Sequence, residues 1–157
     1  MMGEHLSPDL REFVHLLAKH SVRYLVVGGE AVIHHGYPRL TVDVDFFWER
    51  ELENARRLYA ALAEFWGEPV PAVSKAEELL EPGVILQYGR PPNRIDLINR
   101  LGTVAFDDAW DRRVVETMCD AGVEVAFPII GLEDLLQSKR DAGRAKDLDD
   151  IEHLRPE

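Results

Sequence analysis

Cysteine is almost missing from this 157-residue chain, and Cys119 is its one example. A single cysteine excludes a disulfide framework and a metal cluster built on several thiolates, so a reducing compartment is expected. Long apolar runs are missing too, since no stretch approaches the roughly 20 residues of a membrane-spanning helix. The first residues, MMGEHLSPDLREF, lack both the basic end and the apolar segment of a secretion signal. These absences predict a soluble, cytoplasmic protein with no membrane partner.

Positive charge is also scarce. The chain has 18 Lys and Arg against 29 Asp and Glu, which gives a formal net charge of -11. Such a chain repels polynucleotide phosphate unless its basic residues gather on one face, so broad nucleic-acid binding is not expected. A length of 157 residues suits one hydrophobic core and is short for two, which predicts a single domain over residues 1–157.

Apolar periodicity and turn residues predict strands interspersed with helices. The first helix is predicted to start at Ser7-Pro8-Asp9. Later helices are predicted over residues 30–35, 52–66, 107–113, 132–142 and 145–154. The strands are predicted at 24–27 and 41–48, in a hairpin within 83–99 that turns at 89–93, and in a second hairpin around Asp120 and Gly122. Residues 67–83 are expected to form a surface excursion. This order predicts an α/β (α+β) fold in which helices pack on a mixed β-sheet.

Two aspartates lie one residue apart inside an otherwise apolar strand. Alternation along 41–48 places Val42, Val44 and Phe46 on one face and Thr41, Asp43, Asp45 and Phe47 on the other. The two acids therefore project side by side, while apolar neighbours withhold the water that would screen their repulsion. A divalent cation resolves this conflict, and magnesium typically takes one or two carboxylates together with substrate phosphates.

A pair of glycines, Gly28 and Gly29, follows strand 24–27 and precedes a helix. Without side chains, their backbone N–H groups can approach a phosphate at the start of that helix. Turns also use double glycines constantly, so the pair alone fits either a turn or a phosphate cradle. The aspartate pair lies roughly 15 residues further on, and that spacing favours the cradle.

A third acid, Asp96, lies in the segment RIDLI and shares its strand face with Arg94 and Ile98. If this strand neighbours strand 41–48, the three carboxylates converge. Such a triad can hold two divalent ions and leave one carboxylate to accept a proton from an attacking hydroxyl. Otherwise Asp96 is an ordinary acid at an exposed sheet edge.

Three segments in order, GGEAVIHHGYPRLTVDVDFF, RIDLI and LLQSKRDAGRAKDLDDIEHL, resemble the nucleotidyltransferase fold of the DNA polymerase beta superfamily. The likeness is greatest to small bacterial nucleotidyltransferases of the abortive-infection and toxin–antitoxin type. It extends from Tyr24 to Leu154 and is weakest between Gly67 and Gly83. The resemblance implies transfer of a nucleoside monophosphate from a nucleoside triphosphate to a hydroxyl, with pyrophosphate as the leaving group.

The resemblance also implies roles for particular residues. Asp43, Asp45 and Asp96 would be the catalytic acids and the ligands of Mg²⁺ or Mn²⁺. Gly28 and Gly29 would hold the triphosphate.

Lys139 resembles a lysine that lies near the nucleotide in this superfamily, and Asp147 resembles the acid that supports it. The segment SKRDAGRAKDLDD equally fits an ordinary solvated helix face.

The sequence departs from the superfamily pattern at two adjacent positions. Many members have serine where this chain has Gly29, and Glu30 then adds a negative charge beside the proposed cradle unless it turns to solvent. The chain also has no room for the added helical substrate domain of several branches. The acceptor site is therefore expected from the core, a homo-oligomer or a partner protein.

Other candidate sites are weaker. His34 and His35 diverge by about 100° around a helix and cannot both face one metal, so we interpret them as structural. An Asp-x-Asp pair also occurs in phosphatases, but Phe46 follows Asp45 where such enzymes commonly place glycine.

We therefore expect a metal-dependent nucleotidyltransferase that acts on an RNA end or a protein hydroxyl. The basic residues expected to form a local patch for the acceptor are Arg39, Arg90, Arg94 and Arg100. The alternative is a catalytically silent nucleotide-binding or interaction module that docks to a toxin or antitoxin partner. The position of Asp96 relative to the aspartate pair distinguishes the two hypotheses.

Overall fold

The computed structural model describes residues 3, 5–41, 43–91 and 93–155, which form a mixed six-stranded sheet with helices against it. The strands are β1 (Tyr24–Val27), β2 (Asp43–Trp48), β3 (Ile85–Tyr88), β4 (Arg94–Ile98), β5 (Val114–Asp120) and β6 (Val123–Ile129). The helices are α1 (Pro8–Lys19), α2 (Gly28–His34), α3 (Leu52–Trp66), α4 (Phe106–Asp111), α5 (Leu132–Ala142) and α6 (Ala145–Leu154), with a 3₁₀ helix at Ala76–Leu80. The predicted α/β fold is confirmed.

The strand order is β3-β4-β2-β1-β6-β5. β2 pairs antiparallel with β1 and parallel with β4, so β2 lies between the first strand and a strand from much later in the chain. β1 also pairs in parallel with β6, and each edge strand is the antiparallel partner of its neighbour. The strands that carry the predicted acids, β2 and β4, are therefore direct neighbours within the sheet.

Local signals set most element boundaries. The side chain of Ser7 accepts a hydrogen bond from the backbone N–H of Leu10 at 3.2 Å, so α1 begins where the cap predicts. α2 begins two residues earlier than predicted, because a φ of +63° at Gly28 turns the chain directly from β1 into the helix. β2 begins at Asp43 instead of Thr41. Val42, which was predicted to share a strand face with Val44 and Phe46, lies outside the described residues.

The side chains of adjacent residues of β2 pack on opposite faces of the sheet. The ring of Phe46 packs edge-on against Phe13 of α1, with centroids 5.4 Å apart. The ring of Phe47 meets Phe106 of α4 on the other face, at 5.2 Å. Asp43 and Asp45 share the face of Phe47, since side chains alternate along a strand. The core therefore fixes which face the acids occupy.

Asn54 ties α3 to the ends of the two central strands. Its side-chain oxygen accepts a hydrogen bond from the N–H of Arg23 at 2.7 Å, and its amide group donates to the carbonyls of Arg23 and Glu49. These bonds satisfy a buried polar side chain and hold α3 in a fixed position against the sheet. Within the described chain, no helix is both long enough and apolar enough to cross a membrane.

We predict that Phe46→Ala lowers the free energy of unfolding by about 3–5 kcal/mol, because it removes a fully buried ring and leaves a cavity. Urea unfolding followed by circular dichroism measures this loss. Leu148→Ala is the control, since that side chain is 56% exposed and its truncation should cost little. Equal losses for the two variants would contradict the assignment of Phe46 to the core.

Candidate functional site

The three predicted acids lie together on one face of the sheet. In the parallel register of β2 and β4, Asp45 is opposite Asp96 and Asp43 is opposite Arg94. Oxygen atoms of the carboxylates of Asp43, Asp45 and Asp96 all lie within 4.8 Å of one another. The condition on which the sequence argument depended, that the strand of Asp96 neighbours the strand of the aspartate pair, is met.

Crowding and burial alter the acid–base chemistry of this triad. Burial raises the pKa of Asp45 to about 7, and the negative charges of Asp43 and Asp96 add to the effect. Burial also raises the pKa of Asp96. One oxygen of Asp96, Oδ1, is buried without a hydrogen-bond partner among the described residues. A buried carboxylate oxygen with no donor beside it is a suitable ligand for a cation.

A cationic side chain of the protein already reaches two of the three acids. Nη2 of Arg94 donates hydrogen bonds to Oδ2 of Asp43 at 2.7 Å and to Oδ2 of Asp96 at 3.1 Å. Arg94 therefore faces the acid cluster itself.

The glycine pair lies against this cluster. A Cβ atom on Gly28 would lie 1.9 Å from Oδ2 of Asp45, and a Cβ atom on Gly29 would lie 2.5 Å from the hydroxyl of Thr41. Gly28 therefore makes room for the carboxylate of Asp45. Thr41 occupies the space that a serine at position 29 would need, which explains the departure from the superfamily pattern.

Glu30 does not face the proposed phosphate cradle. Its side chain is buried and lies 2.9 Å from Nε2 of His5, on a neighbouring cavity. From the sequence, Glu30 was expected to face either the phosphate cradle or the solvent. It does neither, because its carboxylate is buried beside His5.

Lys139 and Asp147 are both buried, so this part of α5 and α6 is not a solvated helix face. Nζ of Lys139 lies 2.9 Å from Asp150 and 3.3 Å from Asp147. Burial alone would raise the pKa of Asp147, but its hydrogen bond from Arg144 and the charge of Lys139 lower it below the usual value. Arg39 joins the group through two hydrogen bonds to Asp150, at 2.9 and 3.1 Å.

One cavity of about 540 Å³ connects these groups. The sheet contributes an acidic wall, and α5, α6 and the segment before β2 contribute a mostly basic wall opposite it. The charged and hydroxyl-bearing side chains that line the cavity are Arg39, Thr41, Asp43, Asp45, Arg94, Asp96, Ser138, Lys139, Arg144, Lys146 and Asp147, and both Gly28 and Gly29 border it. Every predicted site residue therefore lines the same cavity.

The four arginines of the predicted acceptor patch are not brought together. Arg39 and Arg94 line the cavity, but each is paired with a carboxylate. Arg100 lines a different cavity together with Phe47 and Phe106. Sequence reasoning missed Arg144 and Lys146 as cavity residues, although their position beside Asp147 at the start of α6 was visible.

The adjacent histidines lie outside the acid cluster. The rings of His34 and His35 meet edge-on with centroids 4.9 Å apart, and Nε2 of His35 lies 2.7 Å from the carbonyl oxygen of Ile130. These contacts agree with a structural role for His35.

Over residues 6–155, the chain matches the family described as "Nucleotidyltransferase of unknown function (DUF6036)". The chain belongs to this nucleotidyltransferase family. Its fold is similar to that of a nucleotidyltransferase candidate from Thermotoga maritima, with a TM-score of 0.56, 17% identity and coverage of 95% of this chain and 94% of that one. It is also similar to an antigenic nucleotidyltransferase-like protein from Paracoccidioides brasiliensis, with a TM-score of 0.51, 19% identity and coverage of 95% and 77%. No curated protein matches the sequence.

The match to a nucleotidyltransferase family confirms the resemblance that the glycine pair, the aspartate pair and the Lys139 segment indicated. At these low identities the two solved structures support the fold alone. Neither the family description nor the two neighbours mention a toxin or an antitoxin, so that part of the resemblance stays a prediction.

We predict that Asp45→Asn raises the thermal stability of the metal-free protein at pH 8 and has little effect at pH 4. The pKa of Asp45 is about 7 in the folded protein against an ordinary 3.8, so the folded state retains a proton that the unfolded chain has lost. Stability therefore falls as pH rises from about 4 to about 7, and the cost of the buried charge is fully present above pH 7. The asparagine side chain carries no charge and avoids this cost. After allowance for partial exposure, the gain in the free energy of unfolding is about 1–2 kcal/mol, which raises Tm by roughly 2–8 °C.

Thermal melts in EDTA at pH 4 and pH 8 measure this effect, with Asp111→Asn as an exposed control. An equal change in Tm at both pH values would show that Asp45 does not titrate in this range.

We predict that Gly28→Ala destabilises the protein by more than Gly122→Ala. Both glycines have positive φ, +63° and +80°, so both substitutions carry a similar backbone strain of about 1–3 kcal/mol. A Cβ at Gly122 would meet nothing within 4 Å, whereas one at Gly28 would displace the carboxylate of Asp45. Urea unfolding of both variants measures the difference, which should shrink when Gly28→Ala is combined with Asp45→Ala. Equal costs would mean that Gly28 is required for its conformation alone.

Proposed function

We propose that this protein transfers a nucleoside monophosphate from a nucleoside triphosphate to a hydroxyl group with the help of Mg²⁺ or Mn²⁺. The observation that carries the proposal is the convergence of Asp43, Asp45 and Asp96 on one wall of a cavity that Gly28, Gly29 and Lys139 also border. Membership of a nucleotidyltransferase family supports the same reaction class.

The residues present fit a divalent cation. The three carboxylates supply hard oxygen ligands, and the buried Oδ1 of Asp96 has no hydrogen-bond partner among the described residues. When bound, the cation would neutralise charge on the triphosphate and on the leaving pyrophosphate. Asp43, Asp45 and Asp96 would hold it.

The other residues of the cavity position the nucleotide. Gly28 and Gly29 border the cavity at the start of α2, where backbone N–H groups have no partner within the helix and can bind the phosphates. Lys139 and Lys146 place positive charge on the opposite wall of the same cavity. Lys146 lines the cavity and is exposed, so its ammonium group is available to a phosphate.

Asp96 is our candidate for the general base. Asp96 lines the cavity opposite Asp45, so its carboxylate is in a position to accept a proton from a hydroxyl bound there. In the reaction, the acceptor oxygen forms a bond to the α-phosphorus, and the bond from that phosphorus to the bridging oxygen of pyrophosphate breaks. The proton of the acceptor hydroxyl passes to the carboxylate of Asp96, and pyrophosphate leaves with the bonding electrons.

The charge distribution favours a protein hydroxyl over an RNA end as the acceptor. The net charge is -11, and the arginines at the cavity, Arg39 and Arg94, are already paired with carboxylates. A polynucleotide would meet a predominantly acidic protein, and polynucleotide affinity depends on unpaired cations.

The alternative of a catalytically silent module is less well supported. Two acids suffice to bind a cation, but a third acid beside them provides a base. Asp96 lies opposite Asp45 in the sheet register, which favours catalysis.

We predict that the protein transfers label from one of the nucleoside triphosphates, each labelled on the α-phosphate, when Mg²⁺ or Mn²⁺ and an acceptor are supplied. Bulk RNA and a protein extract are the two acceptor fractions, and the labelled fraction identifies the acceptor class. Asp43→Ala, Asp45→Ala and Asp96→Asn should each lower transfer by about a hundredfold or more, because each removes a cation ligand or the base.

Asp111→Asn, an exposed acid on α4, should leave transfer unchanged. Circular dichroism must show that the inactive variants remain folded. Activity in the Asp43→Ala/Asp45→Ala double variant would contradict the assignment, as would the absence of transfer from all triphosphates to both fractions.

A further inference from the structure

Arg94 and the three acids occupy the four corners of a small patch on β2 and β4. Arg94 and Asp96 lie two residues apart on β4, and their register partners Asp43 and Asp45 lie two residues apart on β2. All four side chains therefore project from the same face of the sheet. Arg94 is diagonal to Asp45 and adjacent to the other two acids.

The contacts of Arg94 differ from those of the structural arginines in this protein. Arg112 binds both oxygens of Asp134 with two nitrogens, at 2.9 and 2.8 Å, and Arg39 binds Asp150 in the same forked way. Arg94 instead uses the single nitrogen Nη2 to bridge one oxygen of Asp43 and one oxygen of Asp96. Its Nε is buried and has no hydrogen-bond partner among the described residues. A bridge through one nitrogen is less firmly fixed than a forked pair.

The bridged oxygens belong to two of the proposed cation ligands. A divalent ion held between Asp43 and Asp96 would place two further positive charges within a few ångströms of the guanidinium group. Arginine does not lose its charge in proteins, so the conflict cannot be relieved by deprotonation. The guanidinium group and a divalent ion held by the same two carboxylates therefore repel each other, and each weakens the binding of the other.

We propose that Arg94 is a built-in counter-ion of the acid triad, which competes with the divalent cation for Asp43 and Asp96 and must swing away before the cation is held there. This inference rests on the proposed function, because it requires that the triad binds a cation. In the absence of the cation, Arg94 limits the repulsion between the acids and stabilises the fold. The proposal makes Arg94 a residue that sets cation affinity, in place of the acceptor-binding role expected from the sequence.

The test measures Mn²⁺ binding to the full chain without nucleotide, from the decrease of the electron paramagnetic resonance signal of free Mn²⁺. Arg94→Gln should bind Mn²⁺ at least about tenfold more tightly than the unmodified protein, a factor within the usual range of coupling between two binding events. Arg90→Gln is the matched control, since Arg90 is exposed on the turn before β4 and its loss removes the same charge. Arg90→Gln should bind Mn²⁺ as the unmodified protein does.

Thermal melts provide a second readout that a purely structural arginine would not give. In EDTA, Arg94→Gln should have a lower Tm than the unmodified protein, because the acids lose their counter-ion. Saturating Mn²⁺ should raise the Tm of Arg94→Gln by more than it raises the Tm of the unmodified protein. If Arg94→Gln does not fold in EDTA, Arg94→Lys replaces it, because lysine keeps the charge on a shorter side chain and should give an intermediate Mn²⁺ affinity.

The outcomes separate this inference from the proposed function. If the unmodified protein binds Mn²⁺, Asp45→Asn abolishes that binding, and neither substitution of Arg94 tightens it, the cation site stands and the role of Arg94 is overturned. If neither the unmodified protein nor any variant binds Mn²⁺, the triad is not a cation site, and the proposed function fails together with this inference.

Discussion

The parallel register between β2 and β4 is the constraint on which the site depends. Phe46 of β2 packs into the aromatic core under α1, and the fixed position of that ring determines where Asp45 projects. A slip of one residue in this register would exchange the faces, so that the carboxylates would enter the core and the aromatic rings would line the cavity. The packing of Phe46 on one face of the sheet therefore specifies where the carboxylates project on the other face.

Once the register is set, the electrostatics of the acid wall follow. Three carboxylates on adjacent strands repel one another, and the surrounding core removes the water that would weaken the repulsion. The opposite wall is built differently, because Lys139, Asp147 and Asp150 are buried together with their charges paired. The paired charges hold α5 and α6 together. The carboxylates on the sheet still repel one another, so the acid wall attracts positive charge from the cavity.

Short-range features of this protein could be predicted from its sequence, and long-range ones could not. The cap at Ser7, the glycine turn after β1 and the alternation around Asp43 depend on neighbouring residues, so their patterns are visible in the chain. Convergence of Asp96 with the aspartate pair remained conditional, because strand order is decided by packing. The pairing of Arg39 with Asp150 joins residues 111 positions apart, and no local pattern indicates it.

The segment around Lys139 shows why composition can mislead. Its alternating acids and bases are typical of a solvated helix face, yet Lys139 and Asp147 are buried, and the charge of each is paired, with Asp150 and Arg144 as their nearest partners. Arg94 was similarly expected to face an acceptor, although a neighbouring acid two residues away on the same strand face already provides a partner. Opposite charges two residues apart on a strand, such as Arg94 and Asp96, share one face and are therefore better interpreted as an ion pair than as two independent surface charges.

The buried and half-buried aspartates of the described chain differ in whether a lysine or arginine compensates their charge. Among the described residues, Asp134, Asp147 and Asp150 each lie within ion-pair distance of a lysine or arginine, and Arg94 reaches Asp96. Asp45 has no such pair, and its pKa is the one raised to about 7. Burial of an ionised carboxylate without a counter-ion is costly, so its retention at the base of the cavity requires a cation from outside the chain or a bound proton. A cation held by the triad would therefore offset the largest cost of charge burial at Asp45, beside the glycine that makes room for this carboxylate.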